Sequence, residues 1–284
     1  QQTQVATVIP FFNRFIKNIP DLEALANFDN HKLIKLWEGL GYYSRVRNLK
    51  KTAQIVVKHF DKKLPRKYLD LKSLPGIGDY TASAISAIAF NKRIIPLDGN
   101  TERVLKRYLY LKKENEINKE NLIKKKKIFG YSNRASDYAQ ALMELGALIC
   151  KPNNPHCEQC PISNKCIALK KKDFLLTKIK KKNNNKYYLL KVYKDKSKYL
   201  LIKNTKFNFL KNFSIFPMQE LSKPLSSTDI VNFKMSNMNM NIKIEHKNKV
   251  GSLPTSHWID PKKLKNYTLP TFTKKIVRYL ESNK

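Results

Sequence analysis

The chain has 284 residues, enough for two domains of ordinary size. Its formal charge of +34, from 56 Lys and Arg against 22 Asp and Glu, exceeds what solubility asks and points to a polyanionic partner, nucleic acid first, although Lys and Asn crowd the whole chain. No apolar run of about 18 residues exists to support a membrane span, and the N-terminus lacks the charged and apolar regions of a signal peptide, so a cytoplasmic protein is expected.

The sequence opens on Gln1-Gln2-Thr3 without an initiator Met, which suggests that it starts inside a longer protein. From Thr3 to Phe60 the apolar spacing is helical. Val5, Val8, Ile9, Phe12, Phe15 and Ile16 recur at three and four, as do Leu33, Leu36, Trp37 and Leu40 before Gly41 stops the second helix. These stripes read as core. In Gly41-Tyr42-Tyr43-Ser44-Arg45-Val46-Arg47, two aromatics and two arginines crowd a helix junction, a mix suited to stacking on or wedging between bases while holding phosphates. A core tyrosine pair with solvated arginines satisfies the same residues.

Leu74-Pro75-Gly76-Ile77-Gly78 is a short apolar hairpin whose two glycines can take positive φ, leaving backbone N–H groups free at the start of a small-residue helix over Thr81–Phe90. Such a helix start can bind a phosphate without reading a base, and an ordinary Gly-Pro turn between core helices fits the same five residues. One helix later the chain presents Asp98-Gly99-Asn100 before a helix at Thr101–Leu109. An Asp at that position is most often an N-cap. What speaks for chemistry is the pairing of a backbone-gripping hairpin with a carboxylate suited to reaching a sugar. Leu105–Leu122 reads as helical and Lys-rich, Lys124–Lys127 as a solvated basic face, and Tyr138–Ile149 as a core helix.

All four cysteines fall within seventeen residues, as Cys150-x6-Cys157-x2-Cys160-x5-Cys166. A cytoplasmic protein argues against disulfides. Only one short Cys pair exists, inside a wider Pro-containing loop, and spacing alone leaves zinc and iron–sulfur both open. Beyond Cys166, Lys170–Lys172, Lys178 and Lys180–Asn185 form a charged connector that cannot bury enough apolar surface to fold alone. Short strand-like runs follow at Tyr187–Tyr193, Tyr199–Ile202, Phe213–Phe216 and Met240–Ile244, with a final helix at Phe272–Leu280. The expected fold is therefore a mostly α domain over 1–168, a basic linker over 169–185 and a smaller α+β domain over 186–284.

The hairpin, Asp98 and the cysteine spacing resemble the helix-hairpin-helix DNA glycosylases related to endonuclease III, and within them the MutY family of adenine DNA glycosylases. The resemblance implies a structural 4Fe–4S cluster on Cys150, Cys157, Cys160 and Cys166, and it makes Asp98 the essential carboxylate with Asn100 beside it. It assigns Gln2 and Tyr42, with Gln1 and Thr3, to the lesion pair, Arg45 and Arg47 to DNA, and Leu74, Gly76 and Gly78 to the backbone-binding hairpin. The substrate it implies is double-stranded DNA carrying adenine opposite 8-oxoguanine or guanine, bound by a monomer at the bacterial nucleoid. Leu200-Leu201-Ile202, Phe213–Pro217, Trp258 and Leu269-Pro270 resemble the Nudix-like C-terminal domain of that family, without a Nudix hydrolase motif. The family's Phe-Ser-His probe of 8-oxoguanine is replaced by Asn237-Met238-Asn239, where Asn239 can still donate a hydrogen bond.

Breaking an N-glycosidic bond needs an acid for the leaving purine and negative charge near the oxocarbenium ion, on a base turned out of the stack. Tyr80 stands where bifunctional relatives carry a Schiff-base Lys, which implies a monofunctional enzyme. The family's general acid is a Glu just before Gln-Gln-Thr, which falls ahead of Gln1; Glu38, Glu102 and Glu144 do not match it. Two other readings are an endonuclease III-like glycosylase/lyase for oxidised pyrimidines, which would want Lys at position 80 and no C-terminal domain, and a non-catalytic damage-binding protein.

Overall fold

The computed structural model describes residues 5–176, 184–223, 230–235, 238–251, 253 and 255–282. Among the described residues ten α-helices precede the sheet: α1 Val5–Asn18, α2 Leu22–Asn27, α3 Asn30–Leu36, α4 Tyr43–His59, α5 Tyr68–Ser73, α6 Asp79–Ile88, α7 Gly99–Tyr108, α8 Lys119–Lys125, α9 Ala135–Glu144 and α10 Ile167–Lys170. Seven strands follow: β1 Asn184–Asp195, β2 Lys198–Lys203, β3 Ser214–Ile215, β4 Met218–Leu221, β5 Ile230–Met235, β6 Met238–Lys247 and β7 Ser256–Ile259, before α11 Thr271–Ser282. The chain divides into two compact units, Asn48–Lys180 and a second made of Gln1–Arg47 with Lys181–Lys284.

In the first unit the helix starts are set by short polar side chains. Asp98 caps α7 by accepting from the Thr101 N–H at 2.7 Å, and Asn118 caps α8 by accepting from the Asn121 N–H at 2.9 Å. The continuous helix expected over Leu105–Leu122 is not formed. It breaks after Tyr108, where Tyr110 takes φ +54° and Glu116 accepts from the Lys112 and Lys113 N–H groups, so the connecting turn satisfies its own backbone. The apolar residues that suggested one helix are buried all the same: Leu105, Leu111, Ile117 and Leu122 form one cluster from both sides of the turn. α9 passes into a π-helical turn, Leu145–Ile149, which ends at Cys150.

In the second unit β1 runs parallel to β6, Tyr188 facing Ile242 in register, and every other strand pairing is antiparallel. The path across the sheet is β3-β2-β1-β6-β5, with β4 on β1 and β7 on β2. Tyr188, Leu190 and Val192 alternate along β1 and bury one face, against which Phe272, Ile276, Val277 and Leu280 of α11 pack. A mixed sheet with a covering helix makes this unit's C-terminal part α+β. Three strands went unread in the sequence: β4 and β7 are four residues each, and β5, Ile230–Met235, is mostly partly exposed. Gln1–Arg47 supplies helices to this unit. Lys274 of α11 pairs with Glu38 at 2.5 Å, and the Tyr43 ring lies 4.4 Å from that of Phe213.

Candidate active site

The turn between α5 and α6 is built from its smallest residues. Gly76 has φ +79°, and a Cβ there would lie 2.8 Å from Asn48 Cβ, so glycine is needed twice over, for conformation and for space. Gly78 differs from expectation: at φ −89° it is ordinary extended backbone before α6, and a Cβ would meet nothing within 4 Å. Leu74 is 3% exposed, so its side chain anchors the turn from beneath and reaches no surface. Thr52 Oγ1 donates to the Pro75 carbonyl at 2.9 Å, fixing the turn to α4. On the expectation from the sequence that this turn grips DNA backbone, Gly76→Val should distort it and weaken binding to plain duplex at least about threefold and equally for all sequences, whereas Gly78→Ala should stay near the natural affinity. Titrating both variants against two unrelated duplexes checks this.

Asp98 is half-buried at the entrance of α7. Its carboxylate both caps the helix and lies near Tyr80, whose phenol is pushed above its ordinary pKa by burial first and by the charge of Asp98 second. Tyr80 therefore stays protonated at neutral pH. Asn100, on the first turn of α7, accepts from Arg103 Nη2 at 2.9 Å. Its Cβ and backbone press on Gly146 of the π-helical turn, where a Cβ would come within 2.7 to 2.8 Å of Asn100 atoms.

Two arginines one turn apart on α7 tie this helix to the cysteine segment. Arg103 Nε donates to the Cys150 carbonyl at 2.8 Å and Nη2 to Gly146 O at 2.5 Å. Arg107, 4% exposed, donates to the carbonyls of Lys151 at 2.6 Å, Pro152 at 2.7 Å and Phe174 at 3.1 Å, with Nη1 3.5 Å from Cys150 Sγ. Neither was singled out in the sequence, though their spacing of four puts both on one helix face. Cys150, Cys157, Cys160 and Cys166 are all free of disulfides and line one small apolar pocket with Arg107, Ile149 and Phe174. Burial leads the upward shift of the Cys157 and Cys160 thiols, and the neighbouring cysteines add to it. Among the described residues no group of three or more His, Cys, Asp or Glu is placed to hold a metal ion.

In the other unit, Tyr42 takes φ +47° and is 46% exposed, with the Arg45 guanidinium 4.7 Å from its ring centre. Arg47 is committed elsewhere than expected: it donates to the Lys211 carbonyl at 2.9 Å and lies 5.0 Å over Phe213, and burial lowers its pKa. Tyr42, Tyr43 and Arg47 line an open groove of about 910 Å³ together with Phe209, Phe233 and Met238. Asn239 lies on β6 and donates to Asn185 Oδ1 at 3.0 Å. Gln1, Gln2, Thr3 and Asn237 lie outside the described residues. Of the carboxylates considered as acids, Glu38 is held by Lys274 and Glu102 by Lys106 at 3.2 Å, and Glu144 is exposed near the end of α9.

Residues 1–127 match the family described as HhH-GPD superfamily base excision DNA repair protein. Over 223 residues the chain is 37% identical to the adenine DNA glycosylase of Buchnera aphidicola subsp. Schizaphis graminum, covering 76% of this chain and 64% of that protein. The adenine DNA glycosylase of Buchnera aphidicola subsp. Baizongia pistaciae is 38% identical over 74% of this chain and 56% of its own length, and the human one 39% over 59% and 31%. The chain thus spans less than two thirds of each of these relatives. Among solved structures, a thermostable thymine-DNA glycosylase aligns with TM-score 0.53 at 26% identity, over 60% of this chain and 80% of its own. Endonuclease III in a trapped covalent intermediate with DNA shares the fold at TM-score 0.52 and 23% identity, over the same shares of each chain. Residues 1–127 are therefore similar to the HhH-GPD superfamily of base excision DNA repair proteins, and the relatives that the chain resembles at 37–39% identity are adenine DNA glycosylases.

Proposed function

We propose that this protein is a monofunctional adenine DNA glycosylase, which hydrolyses the bond between adenine and deoxyribose where adenine is mispaired with 8-oxoguanine or guanine in duplex DNA. The observation that carries the reading is the half-buried carboxylate of Asp98 beside a protonated Tyr80, one helix after a glycine turn. As the glycosidic bond lengthens, positive charge grows on the sugar, and a fixed carboxylate in a partly desolvated site stabilises it without reorganising. Tyr80 can donate its proton as a hydrogen bond but offers no amine for a Schiff base. The product is then an abasic site in an intact strand. Borohydride added during turnover should trap no protein–DNA adduct; a trapped adduct would favour the glycosylase/lyase alternative.

Although no group among the described residues is placed to hold a single metal ion, the four cysteines are the residues that would hold a 4Fe–4S cluster, since all four line one apolar pocket and Arg107 lies against Cys150 Sγ. When bound, the cluster supplies structure: it would order Cys150–Cys166 against α7. Protein prepared without oxygen is expected to contain roughly four iron and four sulfide per chain, and Cys157→Ser or Cys160→Ser should lose both together with DNA affinity. Stoichiometric zinc with no sulfide would overturn the assignment. The strained, exposed Tyr42, which lines an aromatic and basic groove and has the Arg45 guanidinium over its ring, suits contact with the base opposite adenine. We read the C-terminal sheet and α11 as a Nudix-like recognition module acting on that side, and the protein as a monomer working on the bacterial chromosome.

A further inference from the structure

Asp79, the first residue after the glycine turn, is bound by charge from two sides. Its carboxylate is 2.6 Å from Lys72 Nζ and 3.0 Å from Lys119 Nζ, and it accepts from the Tyr68 hydroxyl at 3.2 Å. These partners come from α5 and α8, so the cluster joins three helices at the hairpin. Lys119 stands in the first turn of its own helix, where a cation opposes the helix dipole, and 70% of its side chain is exposed. Lys72 is also open to solvent, with 47% of its side chain exposed. Two exposed lysines brought to within 3 Å of one anion beside a backbone-contacting turn describe a receptor for an oxyanion, and the oxyanion in place belongs to the protein. Hydrogen bonds from Lys72 and Lys119 hold Asp79 well below the usual carboxylate range, so it is ionised at neutral pH.

We propose that Lys72 and Lys119 form a phosphate site for the backbone of duplex DNA, and that Asp79 fills it in the free protein as a phosphate mimic that DNA must displace. This rests on the DNA-binding reading above and adds to it a named site and a built-in competitor. The exchange is feasible because exposed ion pairs are individually weak, while a phosphate presented by duplex brings counterion release with it. Asp79 thereby lowers affinity for undamaged duplex and leaves more of the selection to the mispair. A second role for the carboxylate, as an acidic residue in the first turn of α6, predicts an effect on stability alone.

The test is binding of an undamaged duplex across a salt series by the full chain, with Asp79→Asn and Asp79→Ser, and with Lys72→Gln and Lys119→Gln in the natural and Asp79→Asn backgrounds. Removing the carboxylate should tighten binding about three- to tenfold, the range that two exposed pairs can hold back, and steepen the slope of log affinity against log salt by about one. Each lysine substitution should then cost more affinity in the Asp79→Asn background than in the natural protein. Unchanged or weaker binding with an unchanged slope, in variants whose melting is cooperative, would reduce Asp79 to a helix-stabilising residue and overturn the proposal alone. Absence of duplex binding by every form, the natural protein included, would overturn the DNA-binding reading with it.

Discussion

Replacing Asp98 with Asn is expected to slow adenine excision by about 10²- to 10³-fold while leaving affinity for the mispaired duplex within about twofold. The substitution is nearly isosteric. Asparagine caps a helix about as well as aspartate, so the bond from the Thr101 N–H to the Asp98 side chain should persist and α7 should keep its place. What is lost is the negative charge next to Tyr80; that loss makes the phenol easier to ionise and should lower its pKa, while burial, the larger cause of its upward shift, remains. Asp98→Ala removes cap and charge together and should add about 1 kcal/mol of destabilisation to the same loss of rate. Single-turnover excision with thermal melts of both variants separates the two contributions. Equal rates for natural protein and Asp98→Asn would leave the N-cap as the whole role of this residue.

Replacing Arg107 with Met should destabilise the unit Asn48–Lys180 by about 3 kcal/mol or more. The aliphatic part of the side chain is roughly conserved, but the carbonyls of Lys151, Pro152 and Phe174 lose their donor in a buried place, and each orphaned acceptor costs about 1 kcal/mol or more. The melting temperature should fall by roughly 10 °C. Arg107 also stands against Cys150 Sγ and its own carbonyl faces the Cys166 thiol at 3.7 Å, so iron content should fall in the same variant. Arg103→Met should be milder for stability, since that side chain is less buried, yet should act on excision, because Arg103 joins Asn100 on the first turn of α7 to Gly146 and Cys150. A shift of less than about 2 °C in Arg107→Met would show that water replaces the guanidinium at these carbonyls.

Much of this site was legible in the residues, and the reasons differ by element. The glycine turn, Asp98 and the four cysteines are local: each is a short pattern whose conformation or chemistry depends on its own neighbours. Gly76 repaid that reading with a positive φ, and Gly78 did not, because capability for positive φ does not say which glycine of a pair uses it. Leu105–Leu122 misled because buried leucines at helical spacing look alike whether one helix carries them or two segments fold onto the same core, and the break at Tyr110 carries no glycine or proline to mark it. The arginines of α7 and the pairing of Arg47 with Lys211, 164 residues away, were out of reach for the opposite reason. A charged side chain that satisfies distant backbone carbonyls leaves no periodicity, and on composition it reads as a solvated or phosphate-binding residue. The same holds for Asp79, whose significance lies in two lysines from other helices.

The most direct measurement is what leaves the DNA. A duplex with one adenine opposite 8-oxoguanine, and a second duplex with an oxidised pyrimidine, are each incubated with the protein, and both the freed base and the strand are analysed before any alkali is added. Free adenine is expected from the first duplex, with an unbroken strand bearing an abasic site, loss of that activity in Asp98→Asn, and no release from the second. Release of the oxidised pyrimidine with strand cleavage, or binding without release of any base, would contradict the proposed function.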